Sequence, residues 1–216
     1  MNKENKTLLA GVTVAVVAAV AFAVLAQAVM HGSTEAVDRS VRSAIHSWSN
    51  PLLTRVMLDV TELGQPWLLI LLGAVLVWRF YSLGRRRAAV ILALSALGGE
   101  ACDQALKYSF ARHRPDVFFG AQAQGYSFPS GHSVEACCFY GVLVAILSVR
   151  SRPLRKVALW TGATLLTLAI GISRIYLGVH YPTDVAGGYA LAVVWVALLR
   201  TAYLVWLRRR SPTRIP

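Results

Sequence analysis

The chain has 216 residues, of which 56% are hydrophobic and only 15% are charged. Soluble domains carry about 25% charged residues, so this composition argues against a soluble domain. It also excludes a disordered chain and a disulfide-stapled secreted module. A formal charge of +12 would indicate nucleic acid as the partner of a soluble chain. We expect no nucleic acid here, because the cytoplasmic loops of membrane proteins also collect Lys and Arg.

The apolar residues occur in segments long enough to cross a lipid bilayer. The first, residues 7–30, is uncharged and follows Lys3 and Lys6, so it also resembles a signal peptide. Its 24 residues exceed a signal core of about 7–15 residues, which favours a retained helix. We predict one all-α membrane domain over residues 1–216, with six transmembrane helices at about residues 7–30, 65–83, 88–106, 133–149, 157–173 and 185–207.

Residues 31–65, between the first two predicted spans, carry apolar side chains at helical spacing. Two sets recur at intervals of three or four residues: Val37, Val41, Ile45 and Trp48, then Leu52, Val56, Val60 and Leu63. This periodicity predicts two short amphipathic helices that lie in the membrane interface. The alternative is an ordinary packed loop.

The distribution of Lys and Arg predicts how the chain is oriented in the membrane. With the N-terminus inside, the inner segments carry fourteen Lys and Arg residues and the outer segments carry seven. Because basic residues concentrate on the cytoplasmic side, both termini are predicted to be cytoplasmic. The seven outer basic residues then need another explanation.

Two of the outer segments are rich in polar residues. One lies between the third and fourth predicted spans, and the other lies between the fifth and sixth. Loops at the ends of adjacent helices can meet, so we expect one site at the outer face. Its candidate residues are Lys107, Arg114, Ser130, Gly131, His132, Arg174, His180 and Asp184.

The residue types in this set are those that phosphoryl transfer needs. The three cations can clamp a multiply charged phosphoryl group. Ser130 and Gly131 open the fourth spanning helix, whose first backbone N–H groups can hold an anion. One histidine can attack phosphorus while the other protonates the leaving oxygen, and Asp184 can hold the ring of His180 in its reactive tautomer. Helix capping is the simpler alternative for Ser130, Thr183 and Asp184 when each is taken singly.

Three sequence motifs contain these residues. They are K-x6-R-P at 107–115, P-S-G-H at 129–132 and S-R-x5-H-x3-D at 173–184. Together they resemble the three-part signature of the type 2 phosphatidic acid phosphatase and vanadium haloperoxidase superfamily. The layout of spans over residues 7–207 is similar to that of its six-helix bacterial members.

The resemblance implies a role for each motif residue. His180 would be the nucleophile that forms a phosphohistidine, His132 the acid–base, and Asp184 the carboxylate that orients His180. The phosphate would be bound by Lys107, Arg114, Ser130, Gly131 and Arg174.

Two acidic residues outside the motifs are candidates for supporting roles. Asp103 lies one helical turn before Lys107, so the two side chains can form an ion pair that positions the lysine. Glu135 lies one turn after His132 and is a candidate to tune it. A structural pair inside the helix bundle is the alternative for both acids.

Other functions fit the sequence less well. The chain has no H-E-x-x-H motif, and we expect neither a metal nor another cofactor. An intramembrane serine protease using Ser130 would not require the three cations. A non-enzymatic phospholipid binder or transporter would not require two histidines and an aspartate at this spacing. A metal hydrolase could still recruit His113, His132, Glu135, His180 and Asp184.

The sequence therefore predicts a metal-independent lipid phosphatase of a bacterial inner membrane, with its active site at the outer face. The resemblance makes undecaprenyl diphosphate the leading substrate, hydrolysed to undecaprenyl phosphate, because such family members recycle that carrier outside the membrane. Phosphatidylglycerol phosphate and phosphatidic acid are the alternatives. The expected partners are a lipid phosphate and the bilayer, and the sequence names no protein partner.

Overall fold

The structure is a computed structural model that describes residues 3–121 and 123–208, so Arg209, Arg210 and Arg214 of the basic C-terminal segment lie outside it. Every regular element in the described part of the chain is an α-helix. The helices are α1 Lys3–Met30, α2 Glu35–His46, α3 Pro51–Glu62, α4 Pro66–Ser82, α5 Arg86–Phe110, α6 Gly131–Ser148, α7 Pro153–Tyr176 and α8 Pro182–Arg208.

The predicted all-α, multi-span architecture is confirmed. Helices α1, α5, α6, α7 and α8 are each long and apolar enough to cross a membrane. The second predicted span coincides with α4, whose 17 residues continue from α3 across a 44° bend. Counted as one bent span, α3 and α4 bring the number of candidate spans among the described residues to six.

The interpretation of residues 31–65 as a packed loop is wrong, because α2 and α3 are regular helices. In α2 the apolar side chains Val37 and Val41 are exposed, which is the arrangement expected of an amphipathic helix against lipid. An adjacent stripe of α2 faces the protein. Along it Asp38, Arg42 and His46, spaced four residues apart, contact the loops at one end of the bundle.

Helix α6 lies at the centre of the bundle. In its most apolar stretch 67% of the residues are buried inside the protein, against 33% or less in the other long spanning helices among the described residues. It packs against α4, α5, α7 and α8. The end of α6 that carries the P-S-G-H motif is therefore surrounded by the ends of its neighbours.

Glycine in α8 allows a close crossing with α6. A Cβ atom at Gly188 would lie 2.8 Å from the Cβ of Ser133 and 2.9 Å from the backbone oxygen of Ser130. The backbone of Ser130 cannot swing away as a flexible side chain would. Residues that begin α6 and α8 are thereby held next to each other.

We expect Gly188→Ala to destabilise the protein by about 1–3 kcal/mol, because the added methyl group overpacks this crossing. Gly162→Ala in α7 is the matched control, since a Cβ there meets no atom within 4 Å. Both changes gain the same helix propensity. Unfolding midpoints in detergent micelles measure the difference, and equal midpoints for the two variants would contradict the close crossing.

Candidate active site

The three motifs meet at one end of the bundle. The backbone N–H of Ser130 donates to the backbone oxygen of Asp184 at 3.0 Å, which joins the second motif to the third. A Cβ at Gly131 would lie 2.8 Å from Nζ of Lys107, so the first motif packs on the second. The phosphate-site residues predicted from the sequence therefore converge, although their helices are far apart along the chain.

Lys107 lies in the last turn of α5 and has an acidic partner. Its Nζ donates to Oδ2 of Asp103 at 2.5 Å, and the Asp103 carboxylate is fully buried. The i, i+4 pair expected from the sequence is thus present in the structure. It fixes the ammonium group beside Gly131 and leaves Lys107 nearly charge-neutral with its partner.

Arg114 is held by backbone oxygens rather than by an acid. Its guanidinium donates to the carbonyls of Gln124, Gly125 and Val179 at 2.8–3.2 Å. Its Nη1 also lies 3.0 Å from Nε2 of His180. Burial lowers the pKa of Arg114, an effect that the Asp184 and Asp103 carboxylates oppose.

Arg174, in the last turn of α7, is 7% exposed. Its Nη1 donates to Oγ1 of Thr61 in α3 at 2.8 Å, while its Nε has no hydrogen-bond partner in the described part of the chain. Within that part, neither Arg174 nor Arg114 forms an ion pair. The two guanidinium groups therefore lie in the site without direct contact to a carboxylate of the described residues.

His180 lies in the short segment before α8 and is 2% exposed. A guanidinium can only donate hydrogen bonds, so the contact with Arg114 requires Nε2 of His180 to be unprotonated. The ring proton then sits on Nδ1, which lies 3.4 Å from Oδ2 of Asp184. This tautomer directs the lone pair of Nε2 toward the cations.

The charge state of His180 follows from its surroundings. Burial lowers its pKa to about 4, an effect that Asp184 opposes and that the positive charges of Arg114 and Arg174 reinforce. The imidazole is therefore neutral at physiological pH. A neutral imidazole with an available Nε2 lone pair is a competent nucleophile.

Asp184 is fully buried in the first turn of α8. Its Oδ2 accepts hydrogen bonds from Oγ of Ser127 at 2.5 Å and from the backbone N–H of Tyr181 at 2.8 Å. The bond to Tyr181 satisfies a free donor at the start of the helix, so Asp184 caps α8 from its third residue rather than from the expected N-cap position. Capping and orientation of His180 are thus performed by the same carboxylate.

The P-S-G-H motif begins α6. Ser130 is fully buried at the N-cap position but makes no side-chain capping bond, and instead its Oγ accepts from Ser133 at 3.2 Å. His132 follows in the first turn, with Nε2 buried and unpartnered among the described residues. A Cβ at Gly64, in the α3–α4 bend, would lie 3.3 Å from the His132 ring.

Glu135 points toward α5. One carboxylate oxygen from each of Glu100, Asp103 and Glu135 lies within 4.8 Å of the others, a group that could hold a cation. Among the described residues no comparable group includes a histidine. The donor set of the metal-hydrolase alternative is therefore not assembled in that part of the chain.

Four residues of the site region have no place in the sequence motifs used above. Thr61 contacts Arg174, Ser127 contacts Asp184, and Arg112 bridges Asp184 and Asp38. Asp38 of α2 also contacts Thr183 of α8, and Thr61 of α3 contacts Arg174 of α7. In both pairs the partner lies more than a hundred residues later in the chain. The sequence signal for Asp38 was its spacing of four residues from Arg42, which is in turn four residues from His46. This spacing places a polar stripe beside the apolar one on the same helix.

A well-formed apolar cavity lies away from the site. It has a volume of about 560 Å³ and lies between α1, α7 and α8. Its walls include Trp160, Tyr189 and Arg200, and none of the predicted site residues. The polar convergence, rather than this cavity, defines the candidate active site.

Comparison with known proteins identifies the family. The family model for the PAP2 superfamily matches residues 88–208. Phosphatidylglycerophosphatase B of Bacillus subtilis (strain 168) is 32% identical over 187 residues, covering 83% of this chain and 89% of the relative. Undecaprenyl-diphosphatase BcrC of the same organism is 28% identical over 166 residues, covering 73% and 80%.

A solved structure agrees with the sequence matches. The crystal structure of the transmembrane PAP2 type phosphatidylglycerolphosphate phosphatase from Bacillus subtilis superposes with a TM-score of 0.82 at 28% identity. The match covers 92% of this chain and 98% of the solved chain. The chain therefore belongs to the PAP2 superfamily and is a membrane lipid phosphatase of that type.

Proposed function

We propose that this phosphatase removes the terminal phosphate of a lipid phosphate through a phosphohistidine on His180. The observation that carries the proposal is the pair of guanidinium groups of half-buried Arg114 and buried Arg174, neither of which is ion-paired with a carboxylate among the described residues. They lie around the neutral imidazole of His180, whose unprotonated Nε2 is 3.0 Å from Nη1 of Arg114. This arrangement suits a phosphoryl group.

The charges of the site support a dianionic ligand. Lys107 is offset by Asp103, and Arg112 is offset by acidic residues on both sides. The positive charges of Arg114 and Arg174 are the two that have no ion-pair partner among the described residues. A terminal phosphoryl group carries up to two negative charges, and guanidinium groups match its oxygens in pairs. Ser130 and Gly131 add the first N–H groups of α6.

The first chemical step transfers the phosphoryl group to the enzyme. Nε2 of His180 forms a bond to phosphorus as the bond from phosphorus to the leaving oxygen breaks, and His132 gives that oxygen a proton. The His180 ring becomes positively charged. Asp184, facing Nδ1, stabilises that charge and keeps the ring in position.

The second step releases phosphate. His132, now neutral, accepts a proton from a water molecule whose oxygen attacks phosphorus, and the bond between phosphorus and Nε2 breaks. The electron pair returns to His180, and the two histidines regain their starting states. Positioned cations supply the stabilisation of the transition state. The proposed chemistry uses no metal or other cofactor.

The leading substrate is an isoprenoid diphosphate such as undecaprenyl diphosphate. Its leaving group is a phosphate, which departs more readily than the alkoxide of a glycerol, and its several negative charges suit the cations. Phosphatidylglycerol phosphate is the second candidate. The similarity to a phosphatidylglycerophosphatase over most of both chains favours it.

We propose that the site faces the outer leaflet of a bacterial inner membrane, with both termini in the cytoplasm. The excess of basic residues on the opposite side supports this orientation. The lipid tail would then stay in the bilayer against apolar helix faces while the phosphate reaches the cations.

His180→Ala should reduce kcat by on the order of 10³-fold or more, because the covalent step loses its nucleophile. Asp184→Asn should leave weak activity, since the imidazole remains but is poorly held. His132→Ala should cost roughly 10²–10⁴-fold for a glycerol leaving group and less for a diphosphate. Phosphate release is measured in detergent micelles containing EDTA, and acid-labile phosphoenzyme is measured by rapid quench.

These three variants need a control for folding. Each is compared with wild type by its unfolding midpoint, and contaminating phosphatase is checked in a mock purification. Normal turnover by folded His180→Ala protein would remove the nucleophile assignment. Loss of wild-type activity in EDTA, with recovery on added zinc or magnesium, would favour the metal-hydrolase alternative.

The substrate panel compares undecaprenyl or farnesyl diphosphate, phosphatidylglycerol phosphate and phosphatidic acid at matched surface concentration. We expect the highest kcat/KM for the diphosphates, because their leaving group is the best and their charge is high. A water-soluble phosphate ester should be a poor substrate, since it lacks tethering to the membrane. A preference for phosphatidylglycerol phosphate would instead assign the protein to phospholipid synthesis.

Orientation is tested by two matched serine-to-cysteine changes in a background without native cysteines. Ser49 and Ser82 are both exposed and lie at opposite ends of the α3–α4 pair. An impermeant maleimide added to intact cells should label Ser49→Cys and not Ser82→Cys. The reverse pattern would move the active site to the cytoplasmic face. Cell lysis should make both positions reactive, which controls for accessibility.

A further inference from the structure

A second charged network lies behind the proposed catalytic pair. Asp38 of α2 is fully buried, which is unusual for a carboxylate on a short surface helix. Its Oδ1 accepts from the backbone N–H of Thr183 at 3.0 Å, and its Oδ2 accepts from Oγ1 of Thr183 and from Arg112, both at 2.7 Å. These contacts place a residue of α2 at the start of α8.

Arg112 connects Asp38 to Asp184. One of its terminal nitrogens donates to Asp38, and the other donates to Oδ1 of Asp184 at 2.5 Å. Its guanidinium stacks on the ring of Tyr181, 4.2 Å from the centroid. Burial opposes the charge of Arg112, yet the two carboxylates raise its pKa above the ordinary value. The guanidinium is therefore a permanent cation.

The geometry divides the two oxygens of Asp184 between different tasks. Oδ1 is bound by Arg112, whereas Oδ2 faces Ser127, the Tyr181 N–H and Nδ1 of His180. A carboxylate held on Oδ1 cannot rotate about its terminal bond without losing the arginine. Arg112 thereby keeps Oδ2 directed at the His180 ring.

The charges explain why a second acid is present. Asp184 and Arg112 alone sum to zero, which would leave little net attraction for the positive ring that forms when His180 attacks phosphorus. Asp38 restores a net charge of −1 to the three groups. In a buried, low-dielectric setting a single charge a few ångströms away strongly favours an opposite charge.

We propose that Asp38 and Arg112 are positioning residues that act through Asp184 to stabilise the positively charged ring of phosphorylated His180. This inference rests on the proposed roles of His180 and Asp184. It assigns to α2 a part in the reaction in addition to its place at the membrane surface.

Other contacts hold α2 in place independently of Asp38. Nη2 of Arg42 donates to the backbone oxygen of Asp116 at 2.7 Å. The ring of His46 stacks on that of Phe118 with centroids 4.0 Å apart. Asp38→Asn, which removes a charge and keeps the shape of the side chain, should therefore leave α2 docked.

The experiment is a double-mutant cycle with Asp184→Asn. We expect Asp38→Asn and Arg112→Gln each to lower kcat by roughly 10-fold or more, with KM changed less than about twofold. In the Asp184→Asn background the same two changes should have little further effect on kcat, because the residue through which they act is already lost. Arg112→Lys retains the charge but cannot bridge two carboxylates, so its kcat should fall between those of wild type and Arg112→Gln.

Arg39→Gln is the control on the same helix. Arg39 forms an exposed pair with Glu35 at 3.7 Å, and its loss should leave kcat unchanged. Unfolding midpoints and the rate of phosphohistidine formation are measured for every variant. A slower phosphohistidine step at an unchanged midpoint separates positioning from a merely structural role.

Two results would overturn the inference. One is wild-type kcat in folded Asp38→Asn and Arg112→Lys proteins. The other is a loss of kcat in each double variant equal to the product of the losses in its two single variants. That result would mean that the two residues act independently of Asp184. Full turnover by Asp184→Asn itself would contradict the proposed function, so the two failures are distinguishable.

Discussion

The site depends on the guanidinium groups of half-buried Arg114 and buried Arg174, neither of which forms an ion pair in the described part of the protein. Removing a charge from water is costly unless hydrogen bonds or an opposite charge compensate. Arg114 obtains that compensation in part from three backbone carbonyls, and Arg174 from the hydroxyl of Thr61. What they lack is an anion. In the proposed reaction a phosphoryl group bound between them supplies it, so the charges that cost free energy before binding provide affinity and transition-state stabilisation.

The remaining cations serve as scaffold because each has its own acid. Lys107 is tied to Asp103 within α5, and Arg112 is tied to residues of α2 and α8. Paired charges of this kind fix geometry while adding little net field. The contrast between paired and unpaired cations explains how one membrane face can carry many basic residues while only a few attract the substrate. Helix α2 is part of this scaffold, because its residues Asp38, Arg42 and His46 contact the loops that carry the motifs.

Much of this organisation could be predicted from the sequence, and the exceptions have physical reasons. Long apolar runs predict spanning helices because a bilayer requires them, and the one-turn helical spacing of Asp103 and Lys107 predicts their ion pair. The contacts of Asp38 and Thr61 could not be predicted in this way, because they join residues 145 and 113 positions apart. Nothing in the sequence distinguishes Arg112 from the other outer basic residues, since charge alone does not reveal which arginine has a buried acid on each side.

The proposed reaction makes opposite demands on His180, which the surroundings of its two ring nitrogens meet separately. Before attack the ring must be neutral, and burial together with Arg114 and Arg174 ensures this by lowering its pKa to about 4. After attack the ring is positive, and the same burial and cations would then oppose the intermediate. The transferred phosphoryl group offsets those cations because its oxygens remain beside them. The carboxylate of Asp184, fixed on its far side by Arg112, offsets the burial at Nδ1. A nucleophile that changes charge during turnover therefore requires an anion at each ring nitrogen, one delivered by the substrate and the other built into the fold.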